Sequence, residues 1–190
     1  MTDEIWDSFL PNEYKVLSPY QWTPIEIIRF TWEYLKTDSV TSVMDLGSGV
    51  GKFCLNLVQF SNRSFPVYGV EDRKGLVDVS ETLRQKLKIT GVTFIHSDFL
   101  VNFPYGHSHY YVFNPLYEMM KGQHSIDFNK EKSAMFFIKN LQILKNHLSH
   151  CKKGTKLITY HGFGGSVLPG YKIVKQKKLE FGDWMVWEKE

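Results

Sequence analysis

Asp45-Leu46-Gly47-Ser48-Gly49-Val50-Gly51 sets an acid and three alternate glycines between two apolar segments. Val40 to Met44 before it suits a buried strand, and Phe53, Leu55, Leu57, Val58 and Phe60 after it suit a helix packed on a sheet. Glycine lets the chain turn sharply and leaves room for a ligand where a Cβ would collide. Free amides at the helix start favour a carboxylate or phosphate. The spacing argues against two kinds of nucleotide site. A dinucleotide turn, G-x-G-x-x-G, needs a small residue at position 52, where this chain has Lys52. A G-x-x-x-x-G-K-[ST] loop is absent too. Asp45 would face a pyrophosphate with the wrong charge, so it suits a ligand that is positive nearby.

S-adenosylmethionine meets that requirement, because its ammonium and its sulfur are both cationic. Three further segments agree. Val67-Tyr68-Gly69-Val70-Glu71 is a short β-prone run, and Glu71 lies 20 residues beyond Gly51, the separation at which a carboxylate meets ribose hydroxyls. Val92 to Leu100 is another strand ending in an acid, Asp98, followed by Phe99. Tyr110 to Asn114 is an apolar strand stopped by Pro115, which has no N–H for the ladder.

On these segments the chain resembles the class I S-adenosylmethionine-dependent methyltransferases, whose first motif is D-x-G-x-G-x-G, from about residue 20 to the C-terminus. The resemblance implies an α/β, Rossmann-like sandwich: a mostly parallel seven-stranded sheet with helices on both faces and an antiparallel C-terminal strand. It implies S-adenosylmethionine as cofactor, held by Asp45, Gly47, Gly49, Gly51, Glu71, Asp98, Phe99 and Asn114. Asp98 would accept from the adenine amino group, and Tyr20 or Thr23 would cover the methionine end. Asn114-Pro115-Leu116-Tyr117 is similar to the [DN]-P-P-[YF] motif of enzymes that methylate planar amino groups, with Leu116 as a departure. This implies Asn114 as the catalytic residue that orients the acceptor nitrogen and Tyr117 as the one lining its approach. The spelling of residues 45–51, 68–71 and 98–100, and of Phe113-Asn114, is also similar to histone lysine methyltransferases of the disruptor-of-telomeric-silencing type. A lysine-like nitrogen of a protein side chain is therefore the expected acceptor. A nucleic-acid or small-molecule methyltransferase is an alternative, and a non-catalytic S-adenosylmethionine-binding module is another.

At 190 residues the chain fits one domain, with 1–36 as a lid and helix region and 37–190 as the core. Thr23 is expected to cap a helix over 23–36, where Ile27, Ile28, Phe30, Thr31, Tyr34 and Leu35 form a stripe. Trp6, Phe9, Tyr14, Tyr20 and Trp22 ahead of it suit a lid or target-side wall. Helices are expected near 74–89 and 130–150, the latter capped by Asn129, and strands at Lys156–His161, Tyr171–Val174 and Asp183–Glu188. His161, at a strand end, is a candidate base. His147, His150 and Cys151 lie close together, but no CxxC or HExxH supports a metal, and histidines at a helix end complement its dipole. From Lys139 to Lys178 there are nine lysines and no Asp or Glu in a chain whose net charge is only +3, a patch that suits an acidic partner such as nucleic acid. No apolar run approaches the ~18–20 residues that cross a bilayer. The start, Met1-Thr2-Asp3-Glu4, lacks a basic-then-apolar pattern, and two cysteines give no disulfide framework. A reducing, cytoplasmic setting is expected, with the protein a monomer or weak dimer.

Overall fold

The computed structural model describes residues 1–116, 133–162, 167–180 and 182–190. Its sheet contains β1 (Val43–Leu46), β2 (Val67–Glu71), β3 (Val92–His96), β4 (His109–Phe113), β5 (Lys156–Tyr160), β6 (Tyr171–Leu179) and β7 (Gly182–Lys189). The order is β3-β2-β1-β4-β5-β7-β6. The first five strands run parallel, and β7 lies antiparallel between β5 and β6. Strand order reverses between β1 and β4, and a crevice for ligand opens at the carboxyl ends of strands at such a point.

Among the described residues seven helices flank the sheet: α1 (Asp3–Asp7), α2 (Asn12–Lys15), α3 (Ser18–Gln21), α4 (Ile25–Leu35), α5 (Lys52–Phe60), α6 (Lys74–Lys86) and α7 (Ala134–Ser149). Side chains on successive strand residues project to opposite faces, so each strand feeds two cores. One core joins Val43, Tyr111, Ile158, Trp184 and Val186 to α4, α5 and α6. The other joins Met44, Tyr110, Val112, Leu157 and Trp187 to Leu144 and Leu148 of α7. Both faces therefore carry helices. Trp184 and Trp187 are nearly fully buried, each contributing on the order of 2–3 kcal/mol. Their indole N–H groups donate to Thr31 Oγ1 at 3.0 Å and Thr159 Oγ1 at 3.1 Å, so neither leaves a buried polar atom unmatched.

Several boundaries differ from the sequence expectations, each for a local reason. β1 opens at Val43 and not Val40, whose amide closes a turn on the Asp38 carbonyl. Thr23 does not cap α4; its hydroxyl pairs with the Tyr111 hydroxyl at 3.2 Å. Pro24 holds the cap position without a side-chain bond, and Asp3 Oδ1 accepts from the Ile25 amide at 3.1 Å in its place. α6 stops at Lys86, where Lys88 turns left-handed. α7 starts at Ala134, with Ser133 Oγ accepting from the Phe136 amide at 3.1 Å. Asn129, the expected cap, lies outside the described residues. β6 runs on to Leu179 because β7 pairs with it along its length, across one register shift between Ile173 and Lys175.

Candidate active site

The glycine turn between β1 and α5 is fastened to β2. The amides of Gly47 and Ser48 donate to the Val70 carbonyl at 2.9 and 3.0 Å. Gly49 N donates to Glu71 Oε2 at 3.0 Å, and Ser80 Oγ of α6 donates to the Gly49 carbonyl at 3.1 Å. Glycine is required twice over at two positions. Gly49 and Gly51 have φ of 53° and 76°, and a Cβ on them would lie 2.5 Å from the Trp22 ring and 2.6 Å from the Phe94 ring. At Gly47 a Cβ would touch Phe99 Cε1 at 3.7 Å. Phe99 thus stands against the first glycine.

Two carboxylates beneath this turn are nearly inaccessible: Asp45 is 4% exposed and Glu71 is 3%. Burial lifts the Asp45 carboxyl to about 7, against a weak hydrogen bond from the Cys54 thiol at 3.5 Å, and the Glu71 charge adds to the rise. Burial lifts Glu71 as well, while Arg73, whose amide donates to Oε1 at 3.1 Å, pulls it back. The Arg73 guanidinium pairs with Glu71 Oε1 at 3.4 Å, whereas among the described residues no ion pair reaches Asp45, and a buried acid in that state is costly. A ligand with an ammonium near Asp45 and vicinal hydroxyls near Glu71 would relieve both. The residues present therefore fit S-adenosylmethionine.

Asp98 is exposed at the end of β3, with Oδ1 accepting from the Leu100 amide at 2.8 Å. Thr23 is buried, and its partner Tyr111 lies in the field of Asp45. Tyr20 is 44% exposed, and Trp22, not Tyr20, covers Gly49. Tyr117 lies outside the described residues. Asn114 follows β4, its amide donating to the Tyr160 carbonyl of β5 at 3.1 Å. The backbone is strained here: Asn114, Leu116 and His161 have φ of 49°, 64° and 54°. Non-glycine residues in this region cost ~1–3 kcal/mol each and cluster at functional sites.

Sequence reasoning singled out His161 without its surroundings. Its ring lies 4.3 Å from that of Tyr160 and 5.8 Å from that of Phe113, centroid to centroid. Phe113 and Tyr160 stack at 5.5 Å. The imidazole occupies space that a Cβ on Gly182 would fill. Burial lowers the His161 pKa, and Asp183 opposes that shift.

Lys52 was missed altogether as a site residue. It is 2% exposed, and its Nζ meets Asp3 Oδ1 at 2.6 Å and Asp7 Oδ1 at 3.7 Å. It thereby draws the N-terminal helices over the glycine turn. The signal was present: a lysine opening an apolar helix, with Asp3 and Asp7 at an otherwise aromatic start.

Residues 37–113 match a family model described as a methyltransferase domain, and that segment carries the glycine turn, Glu71 and Asp98. The match to a methyltransferase domain is confined to that segment, less than half of the chain. Among solved structures, the chain is similar in fold to a magnesium protoporphyrin IX methyltransferase from Synechocystis PCC 6803 with bound S-adenosylmethionine, at 13% identity and TM-score 0.62 over 98% of this chain and 90% of that one. It is similar to an RNA methyltransferase from Salinibacter ruber in complex with S-adenosyl-L-homocysteine, at 15% identity and TM-score 0.60 over 88% and 92%. It is also similar to TrmN from Thermus thermophilus, at 13% identity and TM-score 0.66 over 88% of this chain and 49% of that one. Such identities speak for the fold alone. No curated protein matches the chain significantly.

Proposed function

We propose that this chain is an S-adenosylmethionine-dependent methyltransferase acting on a nitrogen, with a lysine-like amine of a protein side chain as acceptor. The observation that carries the donor assignment is the buried Asp45 under a glycine turn, an acid that calls for a cation, beside Glu71, whose carboxylate can accept from a nucleoside's ribose. When bound, the cofactor supplies a methyl group already activated by its sulfonium. Gly47, Gly49 and Gly51 keep the backbone bare where it approaches, Asp45 offsets its ammonium, Glu71 accepts from its ribose, and Asp98 with Phe99 borders its adenine.

What supports the amine acceptor is the wall beside Asn114. Phe113 and Tyr160 offer stacked aromatic faces, which attract cations. Glu26 lies close enough to Tyr160, and Asp183 to His161, to affect their titration. Asn114 is fixed by its strained backbone and its bond to β5, so its side-chain amide holds the nitrogen in line; alignment at ~3–3.5 Å is where much of the rate arises. His161, kept neutral by burial, takes the proton at Nε2, the ring nitrogen farther from Gly182. A nucleic-acid acceptor is the second reading, favoured by the exposed lysines Lys175, Lys177 and Lys178 of β6.

Tritiated S-adenosylmethionine incubated with fractionated lysate tests the assignment. Protease-sensitive label is expected with the natural chain, and a loss of about 100-fold or more with Asn114→Ala. Equal labelling by both removes Asn114 from the mechanism. Label removed by nuclease moves the acceptor to nucleic acid.

A further inference from the structure

A second cavity opens at the opposite end of the sheet. It is bounded by Thr41, Ser108 and Thr155, which precede β1, β4 and β5, whereas the glycine turn and Asn114 follow β1 and β4. β4 and β5 are five residues long, so at ~3.3 Å per residue roughly 15 Å separates the two ends. Its volume is about 400 Å3, within the ~300–1,000 Å3 of small-molecule sites.

The lining is one-sided in charge. Lys152 and Lys153 contribute their ammonium groups, burial keeps His107 neutral, and no carboxylate lines the cavity. Asp38 and Glu188, at this end of the sheet, are already engaged. Asp38 accepts from Tyr34 at 2.7 Å and pairs with Lys156 at 3.2 Å, while Glu188 pairs with Lys156 at 3.1 Å and Lys172 at 3.6 Å. Nothing lies within 4 Å of the position a side chain would take on Gly106 or Gly154. Among the described residues, no backbone carbonyl accepts from the amides of Lys152 and Lys153. Tyr105 stands at the wall with its ring half exposed, its hydroxyl 2.9 Å from His147 Nδ1. The His147-His150-Cys151 cluster is thereby divided: His147 Nε2 meets the Leu100 carbonyl at 2.9 Å, while His150 and Cys151 face this cavity.

We propose that this cavity binds a small phosphate monoester, with Lys152 and Lys153 holding the phosphoryl oxygens and Tyr105 flanking the organic group. Two adjacent ammonium groups with unclaimed amides suit a compact dianion. A half-exposed tyrosine ring beside them suits an aromatic or other planar carrier. The inference does not depend on the methyl-transfer assignment, since no residue is shared.

Titrating the isotope-labelled full chain with phenyl phosphate, and separately with phenol and inorganic phosphate, tests it by amide chemical shifts. Saturable shifts at Gly106, Ser108 and Gly154 are expected with a Kd near 1 mM or tighter, on the order of tenfold below either control. K152Q/K153Q should weaken phenyl phosphate by about tenfold or more and leave the rest of the spectrum in place. The proposal is overturned by no saturable shift up to about 10 mM, by phenol or inorganic phosphate binding equally well, or by shifts confined to residues 47–51. Full affinity in the double variant overturns it too.

Discussion

Asp45 holds a charge where the fold penalises one, and this has consequences for stability as well as binding. Its folded pKa of about 7 lies above the ordinary 3.8. Below the ordinary value both folded and unfolded chains carry the proton, and the stabilising preference of the folded state for it is fully present. As pH rises through about 7 that preference is lost. Asp45→Asn, which never ionises, is therefore expected to stabilise the ligand-free protein near pH 8 by ~2–4 kcal/mol and to change little near pH 4, read from urea unfolding. The same variant should lose cofactor binding. In the natural protein, S-adenosylmethionine affinity should fall about fivefold between pH 7 and 6, as Asp45 must release its proton to meet the ammonium; a flat calorimetric profile would contradict the assignment. Asp45, Glu71 and Asp98 were legible in sequence because each is an acid at the end of a short apolar run. The strain at Asn114 and His161 was not, since φ is set by neighbouring strands and no composition reveals it.

At the scale of elements, Lys52 joins α1 to α5. Lys52→Ala is expected to lower stability by on the order of 2 kcal/mol and to speed proteolytic cleavage within residues 8–20, with the sheet intact by circular dichroism. Unchanged cleavage would mean that Trp6 and Trp22 hold the segment without the ion pairs. Ser133→Ala should cost about 1 kcal/mol through loss of the α7 cap. The strands were readable because apolar runs bounded by glycine, proline or acids have few alternatives. The caps were harder to see. Thr23 has the right chemistry for a cap, but Tyr111, 88 positions away, claims its hydroxyl. A contact that distant in sequence leaves no local trace.

For the whole molecule, seven of the nine lysines in the stretch read as one patch fall into three groups. Lys156 and Lys172 are consumed by Glu188, Lys152 and Lys153 line the distal cavity, and Lys175, Lys177 and Lys178 mark the outer strand. Lys175 and Lys177 lie over the Tyr34 and Phe30 rings at 5.3 and 4.3 Å. Charged side chains on an outer strand deter pairing with a second sheet. Lys175→Val with Lys177→Val is accordingly expected to produce concentration-dependent association in sedimentation experiments at unchanged cofactor affinity. Fold class was visible in the sequence because the strand and helix signals alternate; the division of one basic run between one end of the sheet and its outer edge required the tertiary path.

Trp22 rests on Gly49, the middle of the cofactor turn. An indole so placed is a native optical gauge: its emission should change as a nucleoside enters or leaves. A chain retaining Trp22 and carrying Phe at its other four indole positions would let occupancy be followed in real time, before any acceptor is in hand.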